Sequence, residues 1–238
     1  MTKKSTIVSR LVFPAAARAE VLAAFLSLPG DMGPTHHRVG ERDRRKPIGD
    51  PSEFQNTMLG GRSFYLVAPQ GTYNFNPNAH LPIDCSARRI PSALARDYLT
   101  HMAAAGPIFG YCCADEEEMH RHYLRMEVKS GVMSGYYGRN IDRYVPGLYW
   151  LTLVSEQLLE KHGVPISVLE NIALEHVDLG GGIHLFRFYD HPEDWRSSKA
   201  IDDVLRSVPG FFDLKKVQAN LTPGVDFQER SQELRPWD

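Results

Sequence analysis

The junctions between strand-like and helix-like runs constrain this chain more than any other feature. STIVSRLVF is followed after one proline by AAARAEVLAAFLSL, PIFGYCCA runs straight into DEEEM, and GLYWLTLVS runs straight into EQLLEK. Strand-like and helix-like runs mix without the strict alternation that a doubly wound parallel sheet requires. The expected fold is therefore α+β, a mainly antiparallel sheet with helices packed on it. One domain over 1–238 is expected, and its pattern is compatible with two similar halves, 1–106 and 107–238.

The chain has 238 residues, of which 42% are hydrophobic and 24% charged, enough apolar material for a sizeable core and too much for disorder. A formal net charge of -2 gives no broad attraction to nucleic acid or to an anionic membrane, so only local patches can act electrostatically. The first apolar run is broken by Arg10, Arg18 and Glu20, unlike a signal peptide. No stretch reaches the about 18–20 apolar residues that span a bilayer. The expectation is a cytoplasmic protein. Cys85, Cys112 and Cys113 are odd in number and two are adjacent, which argues against a disulfide framework.

Strands are expected over 5–13, 62–68, in PIFGYCCA, in GLYWLTLVS and on both sides of the Gly180 to Gly182 turn. GTYNFNPNAHLPIDCS reads as a turn followed by an extended piece. Helices are expected after Pro14, near Pro51 with Asp50 or Ser52 as cap, in SALARDYLTHMAAAG, and from Pro192. DEEEMHRHYLRMEVKSG reads as one helix with Met119, Tyr123 and Met126 facing inward, and the tail from Pro209 as irregular.

The usual signatures of chemistry do not assemble. His120 and His122 point roughly 200° apart on a helix, and no H-E-x-x-H or Cys-x-x-Cys spacing occurs. His176 and His184 can face each other across a hairpin, as ordinary strand histidines do. No nucleophile elbow, P-loop or dinucleotide fingerprint is present, and turns account for Gly60-Gly61 and the triple glycine. Cys85 is the one thiol beside charged residues. No metal or cofactor and no catalytic residue is expected. An enzyme would need a site gathered from His36, His37, Asp84, Cys85, Glu117 and His120.

Three segments have the composition of contact surfaces. Arg42, Arg44 and Arg45 form a basic loop suited to an acidic partner, and Asp115, Glu116, Glu117 and Glu118 form an acidic helix start. Tyr136, Tyr137, Arg139 and Arg143, with Tyr144, Tyr149 and Trp150 beyond, concentrate the side chains that dominate protein interfaces. The same tyrosines would serve equally as a lid on the core, or as a stacking clamp for an anionic small molecule.

GYYGRN followed by PGLYWLTLVSEQLLEKHG over 135–163, with GPTHHRVGERDRRKPI far upstream, resembles bacterial immunity proteins of polymorphic-toxin and type VI secretion systems. The nearest likeness is to the TsiV-like group paired with VRR-type nuclease toxins. Trp150, Leu151, Thr152 and Gly163 carry the strand, helix and glycine of that pattern. The resemblance implies a cytoplasmic, non-enzymatic protein whose partner is a cognate toxin, a nuclease in that group. It transfers no functional residue.

Overall fold

The computed structural model describes residues 6–59, 63–76 and 82–237. Ser5, the Gly60-Gly61 turn, Arg62 and the middle of GTYNFNPNAHLPIDCS (77–81), all part of the expectations above, lie outside those residues.

β1 (Ile7–Phe13) passes through Pro14 and a 3-10 turn into α1 (Arg18–Leu26). β2 (His36–Arg38) and β3 (Lys46–Pro47) precede α2 (Pro51–Met58), where Asp50 accepts from the backbone N–H groups of Ser52 and Glu53 at 2.7 and 3.3 Å. β4 (Phe64–Ala68), β5 (Gly71–Asn76) and β6 (Ile83–Ile90) follow, then α3 (Ala95–Ala103) and β7 (Phe109–Ala114). Next come α4 (Asp115–His122) and the hairpin of β8 (Tyr123–Val128) and β9 (Gly131–Tyr136). β10 (Leu151–Ser155), α5 (Glu156–Lys161), α6 (Ile166–Glu170), β11 (Glu175–Asp178) and β12 (Ile183–Arg187) continue the chain. α7 (Lys199–Ser207), α8 (Leu214–Ala219) and α9 (Phe227–Leu234) complete it.

Ten strands form one sheet in the order β11-β12-β10-β7-β1-β6-β5-β4-β2-β3, and every ladder in it is antiparallel. β8 and β9 make a separate hairpin. The fold is α+β, as the short strand-to-helix junctions imply.

Alternation along each strand gives the sheet two chemically distinct faces. Phe64, Phe75, Cys85, Leu11, Gly110, Leu153 and Leu185 are aligned across seven strands on one face. Phe25 of α1 packs there on Tyr73 and Phe75, Tyr98 of α3 stacks on Tyr73, and Phe54 of α2 meets Phe64 edge-on. Burial of about 1.5–3 kcal/mol per large side chain makes this layer the main source of stability.

Three expectations are corrected. The helix expected through DEEEMHRHYLRMEVKSG ends at His122, because YLRMEV alternates and pairs with GVMSGY as a hairpin. The inward stripe is accordingly not Met119, which is 41% exposed, but Glu117, Arg121 and His122. The extended piece in 71–86 is two strands rather than one. The tail is helical: Asp213 caps α8, and Asp226 with Glu229 forms a capping box on α9.

Candidate functional site

Arg38, Tyr65, Asn74, Ser86, Arg10, Tyr111, Thr152, Phe186 and His176 form a single row across the other face of the sheet. Its polar side chains meet two fates. From Arg10 to Thr152 the row is roofed by α4 and the loop 137–150, and Phe186 beyond it is fully buried. From Ser86 to Arg38 it is open. At the boundary Arg10 grips Asp84 with two parallel hydrogen bonds, Nε to Oδ1 at 2.9 Å and Nη2 to Oδ2 at 2.8 Å.

Under the roof the charges are consumed internally. Arg121 donates to Glu117 at 3.0 Å and to Asp202 at 3.3 Å, and the Tyr189 hydroxyl donates to the other oxygen of Glu117. Burial pushes the Glu117 carboxyl pKa up against the opposing pull of Arg121, whose own pKa is raised by Glu117 despite burial. Tyr111 and Arg139 both donate to Glu118, at 2.6 and 2.7 Å, and the Arg139 guanidinium lies 4.1 Å over the Tyr136 ring. Tyr111 stacks on Tyr149 with centroids 3.9 Å apart. His122 bonds the Tyr137 carbonyl at 2.6 Å and the Tyr149 hydroxyl through its two ring nitrogens. A carbonyl only accepts, so Nδ1 carries the proton and Nε2 accepts from tyrosine. Burial lowers the His122 pKa to about 3.

The open half is a concavity of about 360 Å³ with Tyr65, Thr72, Asn74 and Ser86 on its floor and Arg38, Arg45, Arg88 and Arg89 around it, joined by Glu41. Arg38 lies 4.7 Å over the Tyr65 ring and donates to the Glu41 carbonyl, while its buried Nε has no partner among the described residues. Arg45, Arg88 and Arg89 are exposed, and no hydrogen bond or ion pair to a described residue engages their side chains. The loop 38–46 is folded over this rim by the β2–β3 pairing and by the Gly40 N–H, which donates to Asp43 at 2.6 Å.

Arg88 and Arg89 are consecutive in a strand yet line the same concavity. The register supplies the reason: Ile7 pairs with Ile90 but Val8 pairs with Arg88, so Arg89 is the extra residue of a β-bulge. Its φ of 66° is left-handed, a conformation that costs a non-glycine residue about 1 kcal/mol or more.

The contact residues expected from sequence divide between these environments. Arg42, Arg44 and Arg45 are exposed without ion pairs among the described residues, and of the three Arg45 lines the concavity. Asp115 is half-buried and Glu116 exposed, but Glu118 is held by Tyr111 and Arg139, and Glu117 is fully buried, which removes it from any contact surface. Tyr136 is half-buried beneath Arg139, within electrostatic reach of Arg88. Tyr137 is buried with Tyr144, Leu124 and Phe212 in a small second core. Gly138 has φ 81°, and a Cβ there would lie 2.2 Å from the Phe212 ring, so a glycine is needed to close that lid. Arg143 is exposed and donates to the Pro236 carbonyl at 2.6 Å. The loop 137–144 is thus mainly a core lid.

The residues named for an assembled active site do not converge. Cys85 faces the helices while its neighbour Asp84 faces the opposite side and binds Arg10, and burial pushes the thiol pKa well above its ordinary value. His37 packs on Phe54, His120 on Trp195, and Glu117 is enclosed. His176 and His184 do meet, Nε2 to Nδ1 at 3.0 Å, with His184 also bonded to Glu156 at 3.0 Å. Among the described residues, no group of three or more His, Cys, Asp or Glu side chains is placed to hold a metal ion. A larger groove of about 740 Å³ runs between Pro14, Glu160 and Gly181, but its charged side chains are Glu156 and Glu160, and Glu156 is engaged by His184. Sequence reading missed Tyr65, Asn74, Arg88 and Arg89, although the alternation in TYNFN and DCSAR marks one polar face.

No family model matches the chain, and no curated protein matches it. Among the described residues, no helix is long and apolar enough to cross a membrane.

Proposed function

We propose that this chain is an immunity protein, a non-enzymatic binder that neutralises a cognate protein toxin in the cytoplasm, and that it does so through the open half of its polar sheet face. One observation carries the reading: Arg45, Arg88 and Arg89 stand exposed around a concavity with no ion pair to any described residue, in a molecule that pairs most of its buried and half-buried charges. Exposed cations beside a half-buried aromatic on a rigid sheet suit recognition, since arginine and tyrosine dominate interface hot spots and the backbone that carries them is already ordered. The resemblance of 135–163 to toxin-immunity proteins supports the same reading. The acidic helix start is the weaker contact candidate, because Glu117 and Glu118 already have partners.

Co-expression with the toxin encoded beside this protein is the test. Growth should be restored by the wild-type chain and lost again with the triple variant Arg45→Glu, Arg88→Glu, Arg89→Glu. A toxin that kills equally with and without the wild-type chain would refute the proposal.

A further inference from the structure

We infer that the β-bulge at Arg89 builds a carboxylate-binding site, in which Arg88 and Arg89, with Arg38 and Arg45 opposite, receive the side chains of an Asp/Glu-rich protein segment. The inference rests on the toxin-neutralising reading for the identity of the segment's owner, but not for the chemistry of the site. In an unbulged strand Arg88 and Arg89 would point to opposite faces, with Arg89 entering the helix-side core after Ala87, and Ile90 turned out of it. The extra residue instead puts two adjacent guanidinium groups on one rim. A glycine would adopt the left-handed conformation at Arg89 without penalty. An arginine there retains strain in return for a side chain facing the concavity.

The chemistry of the lining selects the ligand. Guanidinium forks match carboxylates with paired hydrogen bonds, as Arg10 does with Asp84 a strand away. The arginines come from β2, the loop 38–46 and β6 and surround the basin rather than converge on one point, which suits several separate carboxylates. With Glu41 among them, the four arginines make a set of discrete forks rather than the continuous basic stripe that tracks a nucleic-acid backbone. Thr72, Asn74 and Ser86 on the floor offer neutral donors and acceptors to the backbone of an extended segment.

The experiment uses the full chain and two probes, a hexaglutamate peptide and inorganic pyrophosphate, titrated at low and at 0.5 M salt by NMR of backbone amides. The peptide should shift amides of β4–β6 and of the loop 38–46, bind about tenfold more weakly to Arg88→Ala and to Arg89→Ala, and release in high salt. Arg89→Gly should raise the melting temperature while weakening peptide binding, a split that a purely structural role would not produce. Arg89→Lys, which keeps the charge but not the fork, should recover part of the affinity at most. Peptide binding unchanged in both alanine variants overturns the inference, as does tighter capture of pyrophosphate at the same amides or a loss of stability in Arg89→Gly. If the peptide binds as described but the wild-type chain fails to rescue cells from the neighbouring toxin, the site stands and the immunity reading falls. The reverse result rejects the site alone.

Discussion

Arg121 and Arg88 stand on opposite sides of the Arg10–Asp84 pair, and their surroundings differ completely. Arg121 is buried between Glu117 and Asp202 beneath the roof of the polar face, whereas Arg88 is exposed with no ion pair to a described residue. Both belong to the same side of the same molecule. The roofed half turns polar side chains into architecture, by giving Glu117, Glu118, Arg121 and Arg139 fixed partners. The open half leaves its charges to water, where they add little to stability and remain available to a ligand. Where charges are paired therefore separates the structural surface from the recognition surface better than where they are abundant. The acidic run Asp115 to Glu118 is denser in charge than the rim, yet two of its four carboxylates are committed inside.

The contrast can be broken most forcefully from the roofed side. Glu117→Ala leaves Arg121 without its main partner and should cost about 3–5 kcal/mol in chemical denaturation, the usual penalty for orphaning a buried charge. Trp150→Ala, beside it at 7% exposure, should cost a similar 3–5 kcal/mol through the cavity it leaves. A loss under about 1 kcal/mol in Glu117→Ala would show that the network does not bear on stability.

His122 supplies a pH test of the same half. Its folded pKa is lowered to about 3 from an ordinary 6.5, so the unfolded chain binds the additional proton between those values. Stability contributed by neutral His122 should thus be complete above about pH 6.5 and decline as pH falls toward 3, by on the order of 1 kcal/mol per unit. His122→Gln should flatten that slope, and an unchanged slope would locate the acid sensitivity elsewhere.

The open half should respond weakly and in the other direction. Arg89→Gly should gain about 0.5–1 kcal/mol by relieving the left-handed backbone. Arg45→Ala and Arg88→Ala should stay within about 0.5 kcal/mol of the wild type, as exposed positions without partners do. A large destabilisation from either would mean that the rim is structural after all.

The α+β class, the antiparallel pairing and most strand positions were legible because alternation and short junctions are local signals. The roofed network was not. Its members, Arg10, Tyr111, Glu117, Arg121, His122, Tyr149 and Tyr189, come from five separate segments, and only the register brings them together. The acidic helix start misled for a physical reason: a charged run normally marks a solvated face, but here the helix is only eight residues long and its Glu117–Arg121 edge is turned inward. Cys85 misled similarly, since adjacent strand residues face opposite sides and the charge on Asp84 says nothing about the thiol's own surroundings. The basic loop was legible as a surface, while its joining with Arg88 and Arg89 depended on a bulge that a period-two pattern cannot show.

Hydrogen exchange of the chain alone and in complex with the toxin encoded beside it tests the central claim most directly. Protection should appear in β4, β5, β6 and the loop 38–46, and the amides of α4 and β10 should be unchanged. Protection confined to α1–α3, or to the roofed half, would contradict the assignment of recognition to the open face.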